Sequence, residues 1–148
     1  MTTRHKFRCP ECPEETRKKS TLFCAVKAVA DNSKPACRRC GGSTDLHLSF
    51  DFALGVQDNN AKVLGSFYPR PPEDWTDSSG RTVTFYPFLI VTKREERDQA
   101  VWLPYWHVVR DGEKVIRKYG QWALFMDMEL FNDLLSKARN AGFLNHEA

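Results

Sequence analysis

The clearest hydrophobic pattern in the chain is the alternation of apolar and polar residues in LHLSFDFAL, Leu46–Leu54. Successive side chains of a β-strand point to opposite faces of a sheet, so this period of two predicts a strand with one buried face. His47 falls on the polar face of that strand. Ala61–Tyr68 is predicted to form the next strand, and the polar run Asp58-Asn59-Asn60 predicts a turn before it.

A loop and a third strand are predicted after this pair. The segment 69–80, PRPPEDWTDSSG, is rich in Pro, Ser and Asp and therefore predicts a loop. β-Branched and aromatic residues then predict a strand over Thr82–Thr92. Pro87 lies inside this strand, and because proline has no backbone N–H it indicates a sheet edge or a bulge.

A β-hairpin is predicted over Trp102–Arg110 and Glu113–Tyr119. The two runs flank Asp111-Gly112, a residue pair that tolerates the positive φ angles of a two-residue hairpin turn. Gln121–Phe125 fits either an extension of the second strand or the first turn of a helix.

A C-terminal helix is predicted from an N-cap at Asp127 to about Asn140, with Gly142 placed to end it. Apolar residues recur three and four positions apart here, which predicts a buried stripe along one side of the helix. The stripe consists of Phe131, Leu134, Leu135 and Ala138. These elements predict an antiparallel, meander-like sheet with a C-terminal helix packed on one face.

The composition is that of an ordinary globular protein of 148 residues, with 41% hydrophobic and 28% charged residues. The basic start, MTTRHKFRCP, lacks the apolar stretch of a signal peptide. The apolar runs Leu22–Ala30 and Ala100–Val109 are too short to span a bilayer. We therefore expect a cytoplasmic protein without a membrane partner.

Four of the five cysteines form two C-x-x-C pairs, CPEC at 9–12 and CRRC at 37–40. A two-residue gap allows one tight turn to direct both sulfurs at a single ion about 2.3 Å away, and four thiolates suit a tetrahedral site. The pattern predicts one structural Zn²⁺ bound by Cys9, Cys12, Cys37 and Cys40. Cys24 lies in an apolar run and is predicted to be a buried core thiol.

The runs CPEC and CRRCGG resemble the two knuckles of zinc-ribbon proteins, and the resemblance covers residues 7–50. It implies an N-terminal zinc ribbon over residues 1–45. The hydrophobic pattern predicts the β-rich body with its C-terminal helix over residues 46–148, so the chain is expected to be of α+β class. In that family a short hairpin separates the knuckles, so Thr21–Ala30 is expected to supply the intervening strand. Pro13 stands where such ribbons commonly have a glycine after the first knuckle.

Other uses of the cysteines are possible in principle. A rubredoxin-type or iron–sulfur site uses the same four ligands and stays open. Disulfides are disfavoured because nothing indicates an oxidising compartment, and a thioredoxin-like redox motif would explain only one pair. A module of about 45 residues seldom forms an adequate core alone, so a stabilising metal is expected.

Positive charge is concentrated in the N-terminal part of the chain. Residues 1–44 contain ten Lys and Arg against four Asp and Glu, whereas residues 45–148 contain twelve against fifteen, which gives +6 and −3. Zn²⁺ with four thiolates carries −2, so the metal-bound N-terminal part has a net charge of about +4. A basic segment of this kind suits a polyanionic partner.

The basic residues around the two cysteine pairs are therefore the candidate nucleic-acid contacts, because binding to backbone phosphates needs clustered positive charge rather than base-specific contacts. They are Arg8, Arg17, Lys18, Lys19, Lys34, Arg38 and Arg39, with Arg4 and Lys6 also in this segment. The alternative is that Arg38 and Arg39 only neutralise the charge of the metal site.

The sequence contains no phosphate loop, dinucleotide-binding turn, nucleophile elbow or zinc-protease motif. We therefore expect a protein without enzymatic activity or small-molecule substrate, which contacts DNA or RNA within a larger protein assembly. The alternative function is a zinc-stabilised adaptor or inhibitor that docks on another protein through exposed aromatic residues of the body. The candidates for that surface are Trp102, Tyr105 and Trp106.

Overall fold

The computed structural model describes residues 2–12, 16–17, 21–51, 57–94, 99–120 and 124–142, which form eleven β-strands and two α-helices. The helices are α1 (Leu22–Ala30) and α2 (Met128–Asn140). The strands are β1 (Thr2–Arg8), β2 (Thr16–Arg17), β3 (Asp45–Asp51), β4 (Gln57–Phe67), β5 (Glu73–Thr76), β6 (Thr82–Pro87), β7 (Leu89–Lys93), β8 (Gln99–Leu103), β9 (Tyr105–Asp111), β10 (Lys114–Tyr119) and β11 (Leu124–Asp127). Neither helix has the length and apolar character needed to cross a bilayer.

The strands form two sheets in which the paired strands run antiparallel. Seven strands lie in the order β11-β8-β7-β4-β3-β1-β2, and four lie in the order β10-β9-β6-β5. The predicted α+β class, with antiparallel sheet and a C-terminal helix, is therefore confirmed. The body is not a single meander, however, and the N-terminal strands β1 and β2 belong to the larger sheet.

The predicted strand Thr82–Thr92 is divided between the two sheets at Phe88. β6 pairs within the four-stranded sheet, whereas β7 pairs within the seven-stranded sheet. The partner strands β8 and β9 divide in the same way at Pro104, whose carbonyl accepts a hydrogen bond from the Phe88 N–H (2.9 Å). Because Pro104 has no N–H to donate, the ladder is interrupted there. The long hairpin bends at this point and contributes to both sheets.

The core combines side chains from both sheets and from α1 and is rich in aromatic residues. Trp102 of β8 and Trp106 of β9 are 0% and 4% exposed, and their ring centroids are 6.4 Å apart. Trp102 also packs edge-on against Phe50 of β3, at 5.1 Å. The alternation predicted for Leu46–Leu54 is confirmed as far as Asp51, since Leu46, Leu48 and Phe50 are buried and the residues between them are half-buried. The rest of that predicted strand lies outside the described residues.

The predicted strand at Thr21–Ala30 is wrong, because this segment forms helix α1. Thr21 is the N-cap, and its Oγ1 accepts a hydrogen bond from the Cys24 N–H (3.2 Å). A short apolar run suits either a buried strand or a buried helix. Here the cap and the three-residue spacing of Phe23 and Val26, both buried, favour the helix. α1 packs against β1, β3 and β4.

Two segments predicted to be irregular contain strands. Asp58-Asn59-Asn60 lies within β4 rather than in a turn. The register between β3 and β4 shifts close to Asn60, which indicates a β-bulge. Asn60 has a φ of +71°, and asparagine tolerates positive φ better than most residues, so it suits this position. The predicted loop 69–80 contains β5, which pairs with β6.

The predicted hairpin is formed by β9 and β10, with its turn one residue later than expected. Asp111 pairs with Lys114, so the two turn residues are Gly112 and Glu113. Gly112 has a φ of +59°, a conformation that glycine adopts without steric cost.

The C-terminal helix is confirmed, since α2 has Asp127 as its N-cap and Gly142, with a φ of +85°, follows its C-cap. The predicted buried stripe is wrong. Leu134 is 47% exposed and Leu130 is 51% exposed, and the main contacts of α2 among the described residues are with β8 and β11. Phe131 and Leu135 are half-buried, and the side chain of Ala138 lies outside the described residues.

Replacing Phe23 with alanine tests the position of α1 in the core. The Phe23 ring lies 5.0 Å from Tyr86 and 5.7 Å from Trp106 between ring centroids. Phe23→Ala should lower the free energy of unfolding by about 3–5 kcal/mol, measured by urea denaturation. Leu130→Ala, on the exposed side of α2, should change it by no more than about 0.5 kcal/mol. Equal changes in the free energy of unfolding for the two variants would contradict the placement of Phe23 in the core.

Candidate metal centre

The first cysteine pair lies at the end of the hairpin formed by β1 and β2. Arg8 of β1 pairs with Thr16 of β2, and the connection between the strands begins with Cys9. Cys9 is buried and Cys12 is half-buried. The first knuckle therefore follows directly from a strand of the large sheet.

The second pair lies in a tight turn, Cys37–Gly42, between α1 and β3. The Cys37 N–H donates to the Gly42 carbonyl, and the Gly41 N–H donates to the Cys37 carbonyl, both at 2.9 Å. Gly41 has a φ of +71°, in the left-handed region that favours glycine. A Cβ at Gly42 would lie 3.2 Å from the Cys40 Sγ, so the close turn explains both glycines of CRRCGG.

The pairing of β1 with β3 brings the two knuckles together. Arg8, the last residue of β1, pairs with Asp45, the first residue of β3. Cys9 comes directly after β1 and Cys40 shortly before β3, so both lie at the same end of the strand pair. The 24 residues that separate the two pairs in sequence are thus closed into a loop by the sheet.

The four sulfurs form one compact cluster. The Sγ atoms of Cys9, Cys12, Cys37 and Cys40 all lie within 4.8 Å of one another. The Cys9 and Cys40 sulfurs are 3.6 Å apart, which is much longer than a disulfide bond and close to the ~3.8 Å edge of a tetrahedron of sulfurs around Zn²⁺. The cysteines are thus positioned to coordinate one metal ion, as the sequence predicted.

Backbone N–H groups donate hydrogen bonds to both sulfurs of the second pair. The Arg39 N–H donates to the Cys37 Sγ and the Gly42 N–H donates to the Cys40 Sγ, each at 3.4 Å. A hydrogen bond from the Cys40 N–H, aided by that from Arg39, lowers the pKa of Cys37 to about 7.

The pKa of Cys12 changes in the opposite direction, because its thiol is partly buried and crowded by other thiols. Burial, together with the neighbouring Cys40 and Cys37 thiols, raises the pKa of Cys12 to about 12. Four thiolates in this space need a cation to balance their charge, and a divalent metal ion supplies it. The donor set therefore fits a metal ion and does not fit four free thiolates.

No protein-family model, curated protein or solved structure matches this chain. The resemblance to zinc ribbons thus depends on the cysteine spacing and the sulfur geometry. The segment between the knuckles contains α1, where a strand was expected from that family.

The basic residues predicted to contact nucleic acid lie around this centre where the structure describes them. Arg38 and Arg39 are exposed on the second knuckle, and Lys34, before it, is half-buried. Arg8 is half-buried and adjacent to Cys9. Arg17 is in β2, but its side chain and the whole of Lys18 and Lys19 lie outside the described residues. Their contact with nucleic acid stays a prediction.

The aromatic residues predicted for protein binding need a correction. Trp102 and Trp106 are core residues, and Tyr105 is half-buried with its ring packed over Gly120, where an added Cβ would lie 2.1 Å from the Tyr105 Cζ. Large aromatic side chains are typical of both cores and interfaces, so composition alone did not separate the two roles. Neither tryptophan is available to a partner in this fold.

The side chains of His47 and Asn60 form a polar pair that the sequence did not predict, since it placed His47 in a strand and Asn60 in a turn. The His47 Nδ1 and the Asn60 Oδ1 are 2.7 Å apart, across β3 and β4. The period-two pattern placed His47 on the polar face of β3, but the pairing with Asn60 depends on the bulge and is not visible in the sequence.

Cys37→Ser should release the metal ion, because it removes one of four ligands and the binding free energy is largely folding free energy, on the order of 10 kcal/mol. Metal content by elemental analysis and the cooperativity of thermal unfolding are the measurements. Full metal content with unchanged unfolding would contradict the ligand assignment.

Cys24→Ala is the matched control for loss of a cysteine. Cys24 lies on α1 and is half-buried against the core, rather than fully buried as predicted, and it is not one of the four clustered thiols. We expect this variant to keep its metal. Loss of the ion from it would place Cys24 in the site.

Proposed function

We propose that this chain is a non-enzymatic, metal-stabilised binding protein whose basic N-terminal segment contacts DNA or RNA, as part of a larger protein assembly. The observation that carries the proposal is the cluster of four sulfurs within 4.8 Å, with exposed arginines on one of its knuckles. The metal centre has a structural role and the basic residues around it supply the contacts.

Zinc is the ion we propose for the centre. Four thiolates at these distances form a closed tetrahedral site, which is the usual form of structural zinc sites. A rubredoxin-type iron site would use the same ligands, so elemental analysis and the absorption of an iron–thiolate centre distinguish the two ions.

The closed donor set supports a function in binding rather than hydrolysis. Catalytic zinc sites keep one position for water or substrate, whereas four sulfur ligands fill a tetrahedral site. When bound, such an ion would hold the two knuckles together and shape the surface around them.

Positive charge on the second knuckle supports contact with nucleic acid. Arg38 and Arg39 are the two residues between Cys37 and Cys40, and both are exposed. Guanidinium groups bind phosphate oxygens through paired hydrogen bonds, and phosphate contacts need no particular base sequence. A cytoplasmic location fits this proposal, because reducing conditions keep free cysteine thiols from forming disulfides.

The second candidate function is a metal-stabilised adaptor or inhibitor that binds a protein and not a nucleic acid. It would have to use a surface other than the side chains of Trp102 and Trp106, which are buried. Complexes formed through apolar contacts depend little on salt, whereas phosphate contacts weaken steeply as salt is added.

Salt-dependent nucleic-acid binding is the test of the proposal. The metal-loaded protein should bind labelled single- or double-stranded oligonucleotides at low salt. The double substitution Arg38→Ala and Arg39→Ala should weaken this binding and reduce the slope of log K against log salt by about two, because each phosphate contact contributes about 0.9 to it.

The matched control removes the same charge from the body of the protein. Lys114→Ala with Lys118→Ala changes two exposed residues of β10 and should leave binding unaltered. Both double variants must retain their metal. Absence of oligonucleotide binding by the wild-type protein at low salt would overturn the nucleic-acid proposal and favour the adaptor.

A further inference from the structure

The outer face of β1 carries a row of basic side chains. Arg4, Lys6 and Arg8 alternate along this strand, while Phe7 between them is buried in the core. Residues two apart on a strand share a face, so the three cations lie on the side of the sheet away from the core. Together with His5 of the same strand, they form one wall of a groove with a volume of about 440 Å³.

Neutral hydrogen-bonding groups from the next two strands line the same groove. They are His47 and Ser49 of β3 and Asn60 of β4. The register places them directly beside the cations, since Arg4 pairs with Ser49 and Lys6 pairs with His47. Three adjacent strands therefore contribute to one polar concave surface.

The charge of this groove is unbalanced. None of the described residues that line it is acidic. Asp45 lies at its end, where it pairs in register with Arg8, but the Asp45 carboxylate is 3.4 Å from the Lys62 Nζ. The Nε of Arg8 is buried and contacts no acceptor among the described residues. A buried guanidinium donor normally has a partner, which an anion bound in the groove would supply.

We propose that this groove binds a phosphate group of a nucleic-acid strand. The inference rests on the proposed function, which it extends by assigning Arg4 and Lys6 of the basic segment to one groove together with His47, Ser49 and Asn60. Arginine, lysine, serine and asparagine side chains are the usual donors to phosphate oxygens in nucleic-acid complexes. Because Arg8 directly precedes Cys9, one end of the groove lies next to the first knuckle in the chain.

His47 gives the groove an internal reporter of anion binding. The pKa of His47 lies below its ordinary value, mainly because the imidazole is partly buried. The nearby cations Arg8 and Lys6 lower this pKa further. The hydrogen bond with Asn60 and the carboxylate of Asp45 act in the opposite direction. Lys62 pairs with His47 in register and adds a further cation nearby. A bound phosphate would offset these cations and favour the protonated imidazole, so binding should raise the pKa of His47. By linkage, the affinity for phosphate should then increase as the pH falls through the range in which His47 titrates.

The experiment compares three charge-removing variants of the metal-loaded full chain. The double variant Arg4→Ala and Lys6→Ala should bind a labelled oligonucleotide about tenfold more weakly than wild type, with a salt slope lower by about two. Lys114→Ala with Lys118→Ala is the matched control, and Arg38→Ala with Arg39→Ala reports on the knuckle. Metal content and thermal unfolding confirm that each variant is folded.

The His47 ring protons, followed by NMR over a pH series, provide the second measurement. In wild type the oligonucleotide should raise the His47 pKa, and in the Arg4→Ala and Lys6→Ala variant this rise should be smaller. Adenosine monophosphate and inorganic phosphate are titrated in parallel to separate a nucleic-acid strand from a free phosphate as the source of the ligand.

The outcomes distinguish this inference from the proposed function. Oligonucleotide binding that depends on Arg38 and Arg39 but not on Arg4 and Lys6, with no change at His47, overturns the groove alone. A rise in the His47 pKa with free phosphate but no binding of oligonucleotide overturns the nucleic-acid function and makes a small phosphate compound the ligand. No effect of any phosphate on His47 overturns the inference entirely.

Discussion

The antiparallel pairing of β1 with β3 is the interaction on which the rest of the N-terminal structure depends. It joins the first residues of the chain to the large sheet and places the end of β1 beside the start of β3. The two cysteine pairs are attached to these strand ends, so the hydrogen bonds of the ladder bring four sulfurs within 4.8 Å. The cluster of four cysteines is therefore continuous with the larger sheet.

The same strand separates two environments by the alternation of its side chains. Phe7 enters the core, whereas Arg4, Lys6 and Arg8 line the outer groove. Burial of Phe7 favours the register of β1, since a slip of one residue would move Phe7 to solvent and the cations to the core. The stability of the core thus determines the position of the charges that we propose to bind phosphate.

Elements whose signals are local were predictable from the sequence. The alternation in β3, the β9–β10 hairpin and helix α2 each depend on patterns within about a dozen residues, and each is present. The C-x-x-C spacing identified the four clustered cysteines in the same way. The strand predicted at Thr21–Ala30 was wrong, because a short apolar run fits a buried strand and a buried helix equally well. The N-cap at Thr21 and the packing of the segment against β1, β3 and β4 favour the helix.

The sequence by itself determined which cysteines belong together, which faces of the strands are apolar and that the N-terminal part is basic. Only the tertiary structure decided that Trp102 and Trp106 are core residues, that the long hairpin divides between two sheets at Phe88 and Pro104, and that His47 meets Asn60 beside the basic row. The physical reason is that these features depend on strand pairing between distant segments. Local patterns give the period of a strand, but its partner and register depend on the burial of the whole core.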